Sequence, residues 1–87
     1  MAVKLVFLGK LADLAGVPET ELASSSGEID WPDLLAWLGD WGSDELADVA
    51  LSEKVKLALN GTVLADKTCL RAYHGDEVAL LPPVSGG

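Results

Sequence analysis

Glu77-Val78-Ala79-Leu80-Leu81-Pro82-Pro83-Val84-Ser85-Gly86-Gly87 is a strand that runs without a break into a narrow, stiff tail. Residues 77–81 are β-rich, and strand parity puts Val78 and Leu80 on one face and Ala79 and Leu81 on the other. Proline cannot donate to a ladder, so the strand stops at Pro82. The two prolines in series stiffen the exit, and glycine at the tip removes the Cβ that would block entry into a narrow channel. No charged side chain occurs from Val78 to Gly87. Six extended residues from Pro82 reach roughly 20 Å at about 3.3 Å each, far enough to carry a terminal carboxylate deep into another protein. The expected organisation is therefore a domain at 1–81 and a tail at 82–87.

Upstream of that strand, Val55, Leu57 and Leu59 alternate with Lys56 and Ala58, which predicts a strand over 53–59. Asn60-Gly61 is a tight-turn signal, and Thr62–Leu64 is the short return strand. Thr68–Ala72 reads as a 3₁₀ turn carrying Leu70, and His74-Gly75-Asp76 as a turn. Further back, Asp30 is placed to cap a helix, with Pro32 in its first turn and Asp33 favourable to the helix dipole. Leu34, Leu35, Leu38 and Trp41 recur at helical spacing, Gly39 and Gly42 mark the end, and Ser43 caps a second segment over 44–50 with Leu46 and Val49 inward. At the start, Val3–Leu8 reads as a strand. Lys10–Ala15 is a short helix stopped by Gly16, and Glu19–Ala23 is a strand with Thr20 and Leu22 inward. The order is β-β-α-β-β-β. The fold class is α+β, a mixed sheet wrapping one main helix. Its expected core is Val3, Leu5, Phe7, Leu34, Leu38, Val55, Leu57, Leu59, Val78 and Leu80.

The 87 residues make one domain with no internal repeat. At 49% hydrophobic and 23% charged the chain is globular. The acids are gathered: eleven lie between Leu11 and Glu53, with no base among them, and the net charge is −8. Such a surface repels phosphate backbones and anionic headgroups, which excludes nucleic acid and membrane as partners. The first apolar run is too short to span a bilayer or to serve as a signal peptide, so a cytoplasmic protein is expected.

Enzyme signatures are missing. The one histidine, His74, and the one cysteine, Cys69, have no partner motif for a triad or a metal site, and both read as structural. No Gly-rich phosphate loop occurs. No metal and no bound cofactor are expected.

The segment Asp76-Glu77-Val78-Ala79-Leu80-Leu81-Pro82-Pro83-Val84-Ser85-Gly86-Gly87 resembles the C-terminal signature of the small subunit of molybdopterin synthase. That family's tail has two aromatics where Leu80-Leu81 stand. Val3–Leu8 with Leu11–Gly16, and Leu57-Ala58-Leu59-Asn60-Gly61, are also similar to it, so the resemblance spans the chain. It implies a ubiquitin-like β-grasp fold and a sulfur carrier that is not itself an enzyme. By the same resemblance, an activating enzyme adenylates the Gly87 carboxylate with ATP and a sulfur donor converts it to a thiocarboxylate. The tail, Pro82, Pro83, Val84, Ser85 and Gly86, then enters the large synthase subunit in a heterotetramer. There the sulfur is passed to cyclic pyranopterin monophosphate to form the dithiolene of molybdopterin. A carrier for thiazole synthesis, a ubiquitin-like protein modifier and a plain interaction module are the alternatives.

Parity also predicts a docking face. With Val3, Leu5, Phe7, Val55, Leu57, Leu59, Val78 and Leu80 turned to the helix, Val6, Leu8, Ala58, Ala79 and Leu81 turn away, joined by Val63 beyond the turn. A contiguous apolar patch of this kind marks an interface, and this one leads into the tail.

Overall fold

Alternation along the first strand sets the two sides of the sheet. In β1 (Ala2–Phe7), Val3, Leu5 and Phe7 are buried and Lys4 is exposed. The computed structural model describes residues 2–23 and 26–83. After β1 come α1 (Lys10–Ala15), β2 (Glu19–Ala23), β3 (Glu28–Asp30) and α2 (Trp31–Trp37). A π-helical turn (Leu38–Gly42) leads to α3 (Asp44–Leu51), β4 (Lys56–Leu59) and β5 (Thr62–Val63). A 3₁₀ turn (Lys67–Cys69), β6 (Arg71–Tyr73) and β7 (Glu77–Leu81) complete the order.

Five strands form one mixed sheet in the order β2-β1-β7-β4-β5. The central pair, β1 and β7, is parallel, with Leu5 opposite Val78 and Phe7 opposite Leu80. β2 and β4 flank that pair antiparallel, and β5 closes the far edge. The β4–β5 hairpin turns on Asn60 and Gly61, both at positive φ, as a two-residue turn between twisted strands requires. α2 starts as the sequence predicts: Asp30 accepts from the Asp33 amide, and the Asp33 carboxylate accepts from the Asp30 amide. Ser43 caps α3 through the Leu46 amide.

The core holds Val3, Leu5, Phe7, Leu34, Leu38, Val55, Leu57, Val78 and Leu80, together with Leu11, Leu22, Ile29, Trp31, Leu46, Ala50, Leu70 and Ala72. Leu59 departs from its expected place: it is half-buried and packs on the core from the hairpin end.

Four features differ from expectation. β3 and β6 are additional strands that pair only with each other, Ile29 opposite Ala72. Each has three residues and one inward side chain, too few for alternation to register. The pair is held by Tyr73 Oη donating to Glu28 (3.2 Å) and by the Arg71–Glu28 ion pair (3.9 Å). Accordingly the 3₁₀ turn ends at Cys69 and Ala72 is strand, not helix. The strand expected over 53–59 begins at Lys56, because Glu53 and Lys54 are in a turn. The helical layer is two helices joined by the π turn. That wider turn advances the stripe, so Trp41 emerges 38% exposed rather than buried. Its ring stacks on Phe7 (5.7 Å) and Trp37 (4.7 Å) and caps the core at that end.

Candidate functional site: the base of the tail and the open face of the sheet

β7 carries the chain to the tail. Its last rung toward β1 is the Leu8 amide donating to the Leu80 carbonyl at 3.3 Å. Pro82 follows, half-buried, and then Pro83, exposed. The two prolines line an apolar hollow of about 500 Å³, whose other walls are Gly9, Lys10, Leu11 and Leu14 from the start of α1 and Val49 from α3. Sequence reading missed this hollow, because its walls come from three separated segments. The only local sign was a glycine just ahead of a helix with two leucines. Val84, Ser85, Gly86 and Gly87 lie outside the described residues.

On the other side of the sheet, register places Val6, Ala79, Ala58 and Val63 in one row across β1, β7, β4 and β5. Leu81 stands one rung further along β7, opposite Lys56. Leu8 is 41% and Val63 55% exposed, while Val6, Ala79 and Leu81 are half-buried. Ala58 corrects the expectation of an open position, since it is 7% exposed. It lies on the outer row as parity requires. Its single methyl is sunk between its two cross-strand partners, Ala79 and Val63. The rim is charged: Lys4 pairs with Glu19 at 3.0 Å, and that carboxylate holds the Lys4 ammonium above its usual range.

The two reactive side chains have local structural roles. His74 Nδ1 accepts from the Ala2 amide at 3.2 Å, fastening the start of β1 to the β6–β7 turn. Cys69 is exposed, with Sγ 3.7 Å from Asp66 Oδ2. Among the described residues no three His, Cys, Asp or Glu side chains gather where they would hold a metal ion, and no helix is long and apolar enough to cross a membrane.

A mixed sheet whose first and last strands lie side by side in parallel, with antiparallel neighbours and helices on one face, is the ubiquitin-like β-grasp. Within that class the chain belongs to the ThiS family, whose model matches residues 5–87. It is 36% identical to a molybdopterin synthase sulfur carrier subunit from Anopheles gambiae, over 98% of this chain and 91% of the relative. Among solved structures, SAMP1 from Haloferax volcanii is similar at 25% identity and a TM-score of 0.75, with 100% of both chains covered. A chain of the complex of subunits 1 and 2 of molybdopterin-converting factor from Helicobacter pylori has the same fold. It is 24% identical, with a TM-score of 0.65 and 100% of both chains covered.

Proposed function

We propose that this chain is the sulfur carrier subunit of a molybdopterin synthase and works through the carboxylate of Gly87. The observation that carries the reading is the 36% identity to the Anopheles gambiae sulfur carrier subunit along nearly the whole chain. The chemistry explains why such a subunit needs a fold, a tail and no catalytic side chain. A carboxylate is a poor electrophile, and adenylation by an activating enzyme that consumes ATP gives it a leaving group. Sulfur from a donor then replaces the adenylate, leaving a thiocarboxylate. The product is a tethered sulfur nucleophile held at high effective concentration beside cyclic pyranopterin monophosphate in the large subunit. In this reading residues 1–81 are the docking body and Pro82, Pro83, Val84, Ser85 and Gly86 the inserted tail. Val6, Leu8, Val63, Ala79 and Leu81 form the contact face, with Ala58 as its floor. The partners are the large subunit in a heterotetramer, the activating enzyme and the sulfur donor, all in the cytoplasm. The carrier itself holds no cofactor.

Intact-mass analysis after co-expression with an activating enzyme and a sulfur donor tests this. The expected gain is about 16 Da, oxygen replaced by sulfur at one carboxylate. Deleting Gly87 should abolish both the gain and molybdopterin formation while leaving the thermal midpoint within about 2 °C of the parent, since a terminal residue contributes little to folding. A carrier for thiazole synthesis would acquire the mass without supporting molybdopterin formation. Normal molybdopterin synthesis by the truncated chain would end the proposal.

The similarity to SAMP1 favours a second reading, a protein modifier joined through Gly87 to target lysines. Isopeptide-linked Gly86-Gly87 remnants on cellular proteins would support it.

A further inference from the structure

Gly9 stands between β1 and α1 at φ 56° and ψ −131°, a conformation that side-chain-bearing residues rarely adopt. A Cβ built on it would lie 3.2 Å from Pro82 Cγ and 3.8 Å from Pro82 Cβ. The proline ring therefore rests directly on backbone that has no side chain, at the edge of the hollow that it lines together with Leu11, Leu14 and Val49. On the far side of the same junction, the Leu8 amide holds the Leu80 carbonyl. Leu8 and Gly9 thus meet the returning chain two residues apart, at Leu80 and at Pro82.

The geometry points to Gly9 as a positioning residue: its bare backbone, beside the hollow, forms a seat for Pro82 that sets the direction in which the chain leaves the domain. The inference rests on the carrier reading for its purpose, but its geometry does not. Ring closure fixes φ at Pro82 and again at Pro83, and the residue before each proline is confined to extended backbone. A change of direction at Pro82 is therefore passed on to Pro83. A methyl on Gly9 pushes the ring by about 0.3 Å to recover ordinary contact. Over one residue of about 3.3 Å that is a tilt of about 5° in the direction in which the chain leaves Pro82. Misplacements of about 1 Å at a reacting group can cost up to about a hundredfold in rate.

Two measurements on the full chain test this. The first places a nitroxide at Ser85→Cys in a Cys69→Ser background and reads amide broadening at Leu11, Leu14, Val49, Ala58 and Val63, with and without Gly9→Ala. Broadening should weaken at Leu11 and Leu14 in the Gly9→Ala chain while amide shifts in β1, β4 and β7 hold. An unchanged broadening profile overturns the seat. The second is a double-mutant cycle on thiocarboxylate formation at limiting carrier. Gly9→Ala should lower the rate about fivefold or more and Pro82→Ala about twofold. The double variant should match Pro82→Ala, because removing Cγ leaves only the 3.8 Å contact. Backbone strain at position 9 is common to both Gly9→Ala chains, so a double variant as slow as Gly9→Ala alone overturns the contact as the cause. Altered broadening with an unaltered rate overturns the role in delivery. If the parent chain never acquires a thiocarboxylate, the carrier reading fails, and the broadening profile still decides the seat.

Discussion

Lys67 is the residue that does most with the least warning from its neighbours in sequence. Its Nζ donates to the carbonyls of Ala50 (2.9 Å), Ser52 and Val55 (2.9 Å), and lies 5.4 Å from the centre of the Trp31 ring. α3 ends at Ser52 in extended backbone, without a left-handed glycine to turn its last carbonyls inward. The ammonium takes over that task from across the fold and places a positive charge at the negative end of the helix. Burial, with Lys56 adding to it, pushes its pKa below the usual lysine range, and Glu53 pulls partly back. Lys67→Met keeps most of the stem but takes the ammonium from all three carbonyls, of which Ser52 keeps the Val55 amide (3.1 Å). It should cost about 1–3 kcal/mol, read as a lower urea midpoint at unchanged m-value. A midpoint within error of the parent would show that water satisfies those carbonyls equally well.

At the scale of elements, the β4–β5 and β6–β7 turns are tied to each other, and the tie is pH-dependent. The Asp76 carboxylate accepts from the Tyr73 amide (2.8 Å) and from Asn60 Nδ2 (3.1 Å), while Asn60 Oδ1 accepts from the Glu77 amide (2.9 Å). The Tyr73 amide first, and Asn60 second, hold the Asp76 carboxyl below the ordinary carboxylate range. A depressed carboxylate stabilises the fold above its unfolded-state pKa, near 3.9, and loses that contribution as pH falls through the lower folded value. Asp76→Asn should therefore flatten the loss of stability below about pH 4 in urea titrations from pH 6 to 2.5. Parallel curves for the two chains would exclude the tie. Asn60-Gly61 and His74-Gly75-Asp76 were legible as turns because turn chemistry is local. The same holds for the Asp30 and Ser43 caps and for β1, β4 and β7, whose periodicity lies within the strand. β3 and β6 were not legible, because each exists only by pairing with the other across the chain. The π turn was not legible either, since Gly39 and Gly42 announce an ending without saying how wide the last turn will be.

For the whole molecule, the open face of the sheet runs up to Pro82 at the base of the tail, and parity made that face legible where it could not reveal the hollow behind Pro82. Val6, Ala79, Ala58 and Val63 share a row, Leu81 lies a rung beyond, and the chain leaves directly from Leu81 into Pro82. Lys4 and Lys56 sit at the rim, whereas α1, α2 and α3 on the opposite side contribute acids and a single base, Lys10. In the carrier reading proposed above, a partner that takes up the tail meets the sheet, where apolar side chains can be buried without desolvating the acidic helices. Leu81 stands closest to the exit and is half-buried already, so a carboxylate there would be trapped against the partner beside the entering tail. Leu81→Asp should weaken binding to both the large synthase subunit and the activating enzyme by about 2 kcal/mol or more, roughly thirtyfold, the size expected for a central contact. The isolated domain should keep its far-UV circular dichroism and cooperative unfolding, because the inward set of Val78 and Leu80 is untouched. Loss of binding to one partner alone would mean that the two use different faces. Unchanged binding to both, measured by calorimetry at matched salt, would place the docking surface elsewhere, with the helix-side hollow around Leu14 and Val49 as the next surface to test.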